Sequence, residues 1–188
     1  MKELVFLLEE ASARAMLEGL LPRLIPEDLT TRCIVFEGKQ DLEKQLARKI
    51  RGYRNPEARF IVLRDQDAHP DCIALKATLA ELCAETGRGD ILIRIACREL
   101  ESFYLADLAA VEKGLGLMGL AKQQQQRKYR SPDTLASPSR ELHALTKGHY
   151  QKVGGSRAIS AHLDLANGRS ASFRNLISGI LRFSEQAS

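Results

Sequence analysis

Three groups of carboxylates in this chain each follow an apolar run. Leu4-Val5-Phe6-Leu7-Leu8 ends in Glu9-Glu10, and Phe60-Ile61-Val62-Leu63 passes through Arg64 into Asp65-Gln66-Asp67. Ile91 to Ala96 leads through Cys97-Arg98 into Glu99-Leu100-Glu101. Short apolar runs bounded by turn signals read as buried strands of a parallel sheet. In open α/β sheets, ligands bind outside the carboxyl ends of such strands. If these strands lie side by side, five or six carboxylates converge on one edge, and their repulsion calls for a cation. Mg²⁺ or Mn²⁺ is expected, because hard cations take oxygen ligands. Asp65 and Asp67 are two apart at a strand end, so both can turn toward one ion.

A second set of candidates is basic. Lys152-Val153-Gly154-Gly155-Ser156-Arg157 joins glycines to cations, and Arg169, Ser170 and Ser172 add donors. Backbone amides and cationic side chains of this kind can grip phosphate; an ordinary loop joining two helices, with its charges exposed, is the competing reading. His69, beside the acidic loop, is open to a part in proton transfer or to none. The net charge of +4 is unevenly spread. Residues 1–121 carry 17 Lys and Arg against 20 Asp and Glu, whereas residues 122–188 carry 11 against 4. An acidic edge beside a basic C-terminal third suits a polyanion handled through a metal.

These groups need positioning elements, and the pattern supplies them. Strands are expected at Leu4–Leu8, Cys33–Phe36, Phe60–Leu63 and Ile91–Ala96. Helices fall between them: one capped by Ser12 and distorted at Pro22 and Pro26, one with Leu42, Leu46 and Ile50 on a face, and one with Cys72, Leu75, Leu79 and Leu82 on its buried stripe. Four strand–helix alternations with short connections argue for a mostly parallel, right-handed βαβ sheet of about four strands flanked by helices. Past Glu101 the pattern becomes helical, with helices expected over Phe103 to Val111, Ser139 to Lys147 and Ala171 to Phe183. The division read from this is an α/β core over residues 1–112 and a basic, mostly helical extension over 113–188, packed on the core.

A Glu after the first strand, followed by a helix, with Asp-x-Asp after a later strand, resembles the Toprim domain of topoisomerases, bacterial primases and nucleases of the overcoming-lysogenization-defect group. The whole chain resembles a small bacterial family of unknown function with that fold. The segments that carry the resemblance are Leu8-Glu9-Glu10-Ala11-Ser12, Phe36-Glu37-Gly38-Lys39, Leu63-Arg64-Asp65-Gln66-Asp67, Arg98 to Leu105, and Tyr150-Gln151-Lys152-Val153. The resemblance implies a divalent-metal-dependent nuclease. In it Glu9 is general base or metal bridge, Asp65 and Asp67 are ligands, Glu101 serves a second ion, and Glu99 is a weaker candidate. Two-metal clamping of a phosphodiester would lower the pKa of a bound water. Lys152, Arg157 and Arg169 would face nucleic acid. Relatives often read Val-Glu-Gly where this chain has Leu8-Glu9-Glu10, so Glu10 stands either behind the ligands or beside them in solvent. The resemblance also implies a partner ATPase in phage defence or DNA maintenance; this chain has no Gly-x-x-x-x-Gly-Lys-Ser/Thr loop of its own.

Other classes stay open or fall away. A non-catalytic Toprim-like regulatory module keeps the same fold without the reaction. A receiver-type phosphoacceptor would need a Lys closing a fifth strand, and a haloacid-dehalogenase-type phosphatase needs its Asp-x-Asp after the first strand. No stretch approaches the roughly 20 apolar residues of a membrane helix. Met-Lys-Glu-Leu-Val-Phe reads as a first strand rather than a signal peptide, so a cytoplasmic setting is expected. Cys33, Cys72, Cys83 and Cys97 lack zinc-type spacing and read as buried free thiols.

Overall fold

The computed structural model describes residues 2–89 and 91–185 of the chain. Four parallel strands, β1 (Glu3–Leu8), β2 (Thr30–Val35), β3 (Ala58–Asp65) and β4 (Ile91–Ala96), form one sheet in the order β2-β1-β3-β4. β1 and β3 are apolar along their length because both faces are covered. Alternate residues serve different cores: Leu4, Phe6 and Leu8 face one cluster with Ile61 and Leu63, while Val5 and Leu7 face another with Phe60 and Val62. That is the period-two consequence of the pleat.

The helices sort onto the two faces. α1 (Ala11–Leu20) buries Met16, Leu17 and Leu20 in the first cluster. α2 (Lys39–Arg51) and α3 (Cys72–Ala84) bury Leu42, Leu46, Ile50, Leu79 and Cys83 in the second. The adjacent strands β1 and β3 are therefore followed by helices on opposite faces. This is the topological switch point at which doubly wound sheets open a crevice.

Several local expectations are corrected. The second strand begins earlier, at Thr30. α1 starts at Ala11 with Glu10 in the cap position, because the buried Ser12 hydroxyl turns back to Glu10 Oε1 (2.9 Å) instead of capping. The helix expected across Phe103 to Val111 is two, α4 (Glu101–Leu105) and α5 (Leu108–Leu115), since Asp107 caps α5 through the Ala110 amide (3.1 Å). Cys72 and Leu82 are only half-buried, because α3 covers an edge strand and needs a narrow stripe. All four cysteines are free thiols, and of these Cys83 alone is fully buried.

The C-terminal portion adds α6 (Arg127–Arg130), α7 (Pro138–Leu145), α8 (Lys152–Ser160) and α9 (Ala171–Glu185). The Gly-rich stretch thus forms a helix rather than a loop, despite the propensity cost of two glycines. Packing explains it. A Cβ on Gly155 would lie 2.5 Å from Tyr150 Cδ2, so the glycine lets the Tyr150 ring lie against the helix. Where α5 meets α8, a Cβ on Gly114 would lie 2.7 Å from both Ala158 O and Ile159 Cα. α8 also packs along α1, and Tyr129, Leu142, Tyr150, Ile159 and Phe173 join the same cluster as β1. Among the described residues no helix is long and apolar enough to cross a membrane.

Backbone cannot yield to a new methyl as a side chain can. Gly114→Ala should therefore lower stability by about 1–3 kcal/mol even though alanine favours helix, read as a lower urea midpoint at unchanged slope. An unchanged midpoint would mean that α5 and α8 separate freely.

Candidate metal and phosphate site

The site is built where the chain leaves three adjacent strands. Leu8 pairs with Leu63, and β3 runs on two residues to Asp65, which lies level with Ala96 of β4. Glu9 leaves β1 beside this overhang. Its Oε2 accepts the Asp65 amide (3.2 Å) and stands 3.8 Å from Arg64 Nε. Arg64 is 5% exposed and pairs through Nη1 with Glu43 Oε1 (2.8 Å), tying α2 to the strand end. Burial raises the Glu9 pKa, Asp67 raises it further, and the Asp65 amide and Arg64 oppose both.

Asp65 is the most heavily penalised acid. It is 9% exposed, and its pKa is pushed well above the ordinary carboxylate value by burial first, then by Glu101, Glu9 and Glu10. Three acids, two just past the end of β1 and one at the start of α4, thus act on one carboxyl group at the end of β3. Two residues on, Asp67 has a left-handed backbone (φ 53°), as does Arg98 (φ 61°). The Asp67 amide donates to the Arg98 carbonyl at 2.6 Å, clasping the loop after β3 to the loop after β4. Left-handed backbone at non-glycine residues is uncommon and concentrates at functional turns. The Asp67 carboxylate is held by Lys39 Nζ (3.2 Å) at the start of α2.

Glu101 opens α4 and is 1% exposed. Its Oε1 accepts the Tyr150 hydroxyl (2.9 Å), whereas Oε2 is buried without a hydrogen-bond partner. Burial raises its pKa; the Tyr150 hydroxyl and Lys152 pull it down. Tyr150 is itself placed by Gly155 and by Ser156, whose Oγ lies 3.3 Å from the phenol oxygen. Lys152 starts α8 and reaches Glu10, with Nζ 2.6 Å from Oε1.

The structure therefore gathers Glu9, Asp65, Asp67, Glu101, Glu10 and Lys152 at one end of the sheet. Glu99 turns away and caps α7, accepting the Ser139 amide (2.7 Å). His69 is spent within its own loop, its Nδ1 accepting the Asp71 amide (3.2 Å). Arg157 pairs with Glu18 farther along α1 (3.0 Å), and Arg169 donates to the Ala106 carbonyl (3.3 Å); neither contacts the acids. Sequence reasoning missed Arg64, Lys39 and Tyr150 as site residues. An arginine interrupting a buried strand just before an acidic pair was the available signal for the first.

The donor set suits a hard divalent cation: carboxylate oxygens throughout, too much negative charge for the paired lysines, and one buried acceptor left without a partner. It is not preassembled, for among the described residues no three His, Cys, Asp or Glu side chains form a group that could hold an ion as they stand. Lys39 and Lys152 occupy two of the acids instead.

The family described as "Domain of unknown function (DUF4276)" matches residues 8–181. The chain belongs to that family. Its fold is similar to the C-terminal region of the Burkholderia pseudomallei OLD protein, with a TM-score of 0.61 at 13% identity over 98% of each chain. It is also similar to the C-terminal region of the Xanthomonas campestris pv. campestris OLD protein, with a TM-score of 0.52 at 14% identity, covering 99% of this chain and 93% of that one. No curated protein matches the sequence. The fold-level relation expected from the acid-tipped strands is thus present in the DUF4276 chain.

Two outcomes follow from the site's electrostatics. A carboxyl whose folded pKa is raised carries no penalty below its unfolded value, near 4, and destabilises progressively as pH rises through the gap. In chelator, the wild type should lose stability from about pH 4 upward relative to Asp65→Asn, by about 1–3 kcal/mol near neutrality. Parallel pH profiles of the two proteins would contradict the crowding of charge on Asp65. Tyr150→Phe leaves Glu101 with both oxygens unpartnered and should cost about 1–3 kcal/mol, read by denaturant melts; Tyr150→Phe combined with Glu101→Gln should recover part of it.

Proposed function

We propose that this DUF4276 chain is a divalent-metal-dependent nuclease of Toprim type, hydrolysing phosphodiesters of nucleic acid. The observation that carries the reading is the crowding of Glu9, Asp65 and Glu101 where the chain leaves adjacent parallel strands, with Asp65 penalised by Glu101, Glu9 and Glu10. Asp65 and Asp67 would hold one Mg²⁺ or Mn²⁺, and Glu101 would contribute to a second. When bound, the metal supplies Lewis-acid stabilisation of the phosphoryl charge and a more acidic water.

The chain's own groups have separable roles. Glu9, its pKa raised by burial, would take a proton from a water at the site. Tyr150 fixes the orientation of Glu101 through Oε1 and leaves Oε2 for a ligand. Lys39 and Lys152 neutralise Asp67 and Glu10, and Lys152 is free to turn to a phosphate oxygen once those acids are otherwise compensated. The proposed division of labour follows the proposed boundary: residues 1–112 supply the acids, and residues 113–188 supply Lys152 and Tyr150. A partner ATPase and a place in phage defence or DNA maintenance belong to the same proposal.

A second reading, a regulatory module that kept the fold without the reaction, draws on the lysine-paired acids and the lack of a preassembled ligand group among the described residues. One comparison separates the two. Plasmid DNA and RNA should be cleaved in Mg²⁺ or Mn²⁺ by the wild type, and on the order of 100-fold or more slowly by Asp65→Ala with Asp67→Ala. The wild type, but not the double variant, should gain thermal stability on metal addition. Equal cleavage by both proteins removes the mechanism; no cleavage and no metal response in the wild type favours the module.

A further inference from the structure

Beside the acids lies a cavity of about 460 Å³ that the proposed reaction does not use. It is lined by Glu101, Tyr150 and Lys152 on the site side and by Ser139, Arg140 and His143 from α7 on the other. Because Glu101 and Lys152 belong to both, anything in the cavity abuts the catalytic acids.

Its walls are unlike in charge. Of the acids beside this wall, Glu99 already accepts the Ser139 amide, and Glu141 of α7 is paired with Lys128 and Tyr129. Arg140 is exposed and, among the described residues, makes no ion pair, whereas Lys152 and Arg157 are both paired with glutamates. An unpaired guanidinium is a planar fork suited to two oxygens of a phosphate. Opposite it, Glu101 Oε2 is buried and unpartnered. The cationic α7 wall is thus the end of the cavity that suits an anion, and the Glu101 end is the one that adjoins the acids.

We infer that this cavity is a subsite for the phosphodiester flanking the one at the acid cluster, with Arg140 gripping its oxygens and His143 beside it. The inference rests on the nuclease reading and deepens it by naming the substrate's form. A space of this size takes about one nucleotide, within the ordinary range of small-ligand pockets. The substrate form inferred is a single or frayed strand, in which a nucleotide can leave the stack and enter a space of that size. Cleavage at the acids and recognition in the cavity then act on successive phosphates of one strand.

The test is binding of short single-stranded DNA and RNA of the same sequence, in EDTA and in Ca²⁺, over a range of salt. Arg140→Ala should bind about 3–10-fold more weakly than wild type and lower the salt slope of log K by about 0.7, the loss of one phosphate contact on a single strand. Arg140→Lys should keep most of the slope. Arg51→Ala, which removes the same charge at the far end of α2, should change neither. A single-strand preference common to DNA and RNA supports a phosphate-gripping subsite; equal or tighter binding of duplex overturns it. Unchanged affinity and slope in Arg140→Ala overturns the subsite and leaves the nuclease reading standing. Failure of the wild type to bind either strand overturns both.

Discussion

Like charge held close together in a half-dry place governs this protein. β1 and β3 are neighbours whose following helices leave on opposite faces, so the chain opens a crevice at their ends and must place something there. It places carboxylates. Burial and mutual repulsion push Glu9, Asp65 and Glu101 toward their neutral forms, and nearly every polar device nearby eases that cost. Arg64 is sunk beneath Glu9, backbone amides point at Glu9 and Glu99, Tyr150 donates to Glu101, and two lysines reach in from different helices. An arrangement costly to folding and partly compensated is the usual condition of a site kept for chemistry.

The scaffold around the crevice is shaped to keep those compensations in reach. Tyr150 meets Glu101 because Gly155 leaves room for its ring, and α8 lies close to α5 because Gly114 has no side chain to hold them apart. The clasp from the Asp67 amide to the Arg98 carbonyl joins two loops that would otherwise move independently. Packing far from the acids is thereby part of their geometry, and a change in helix spacing is felt at a carboxylate.

What was legible in the sequence was the scaffold and the acids. Apolar runs of β1, β3 and β4 are strong local signals because both faces of a central parallel strand must be buried, and the acids that follow them stand out by contrast. β2 was harder to delimit, since its edge position leaves Thr30 and Arg32 exposed. The helical C-terminal portion was less legible still. Gly154-Gly155 reads locally as a loop, and its helix exists only because α1 and α5 pack against it. The break at Asp107 depends on a carboxylate that also accepts the distant Asp164 amide (2.8 Å). Among the site residues, Tyr150 and Lys39 fall in segments that carry the resemblance, yet no spacing rule assigns them a role; their partners are brought near by the fold.

The contact between Lys152 and Glu10 joins residues 142 apart in the sequence. Contacts of such separation form late and depend on the rest of the chain having collapsed. While the chain is being synthesised, the first four strands emerge with their acids well before α8 exists. Until then the α1 face that α8 covers stays bare, and Glu10 has no lysine. The site is therefore finished well after its acids have emerged, and a nascent chain stalled before residue 152 would hold the fold's acids without its means of balancing them. Order of assembly itself keeps an incomplete chain from carrying a complete site.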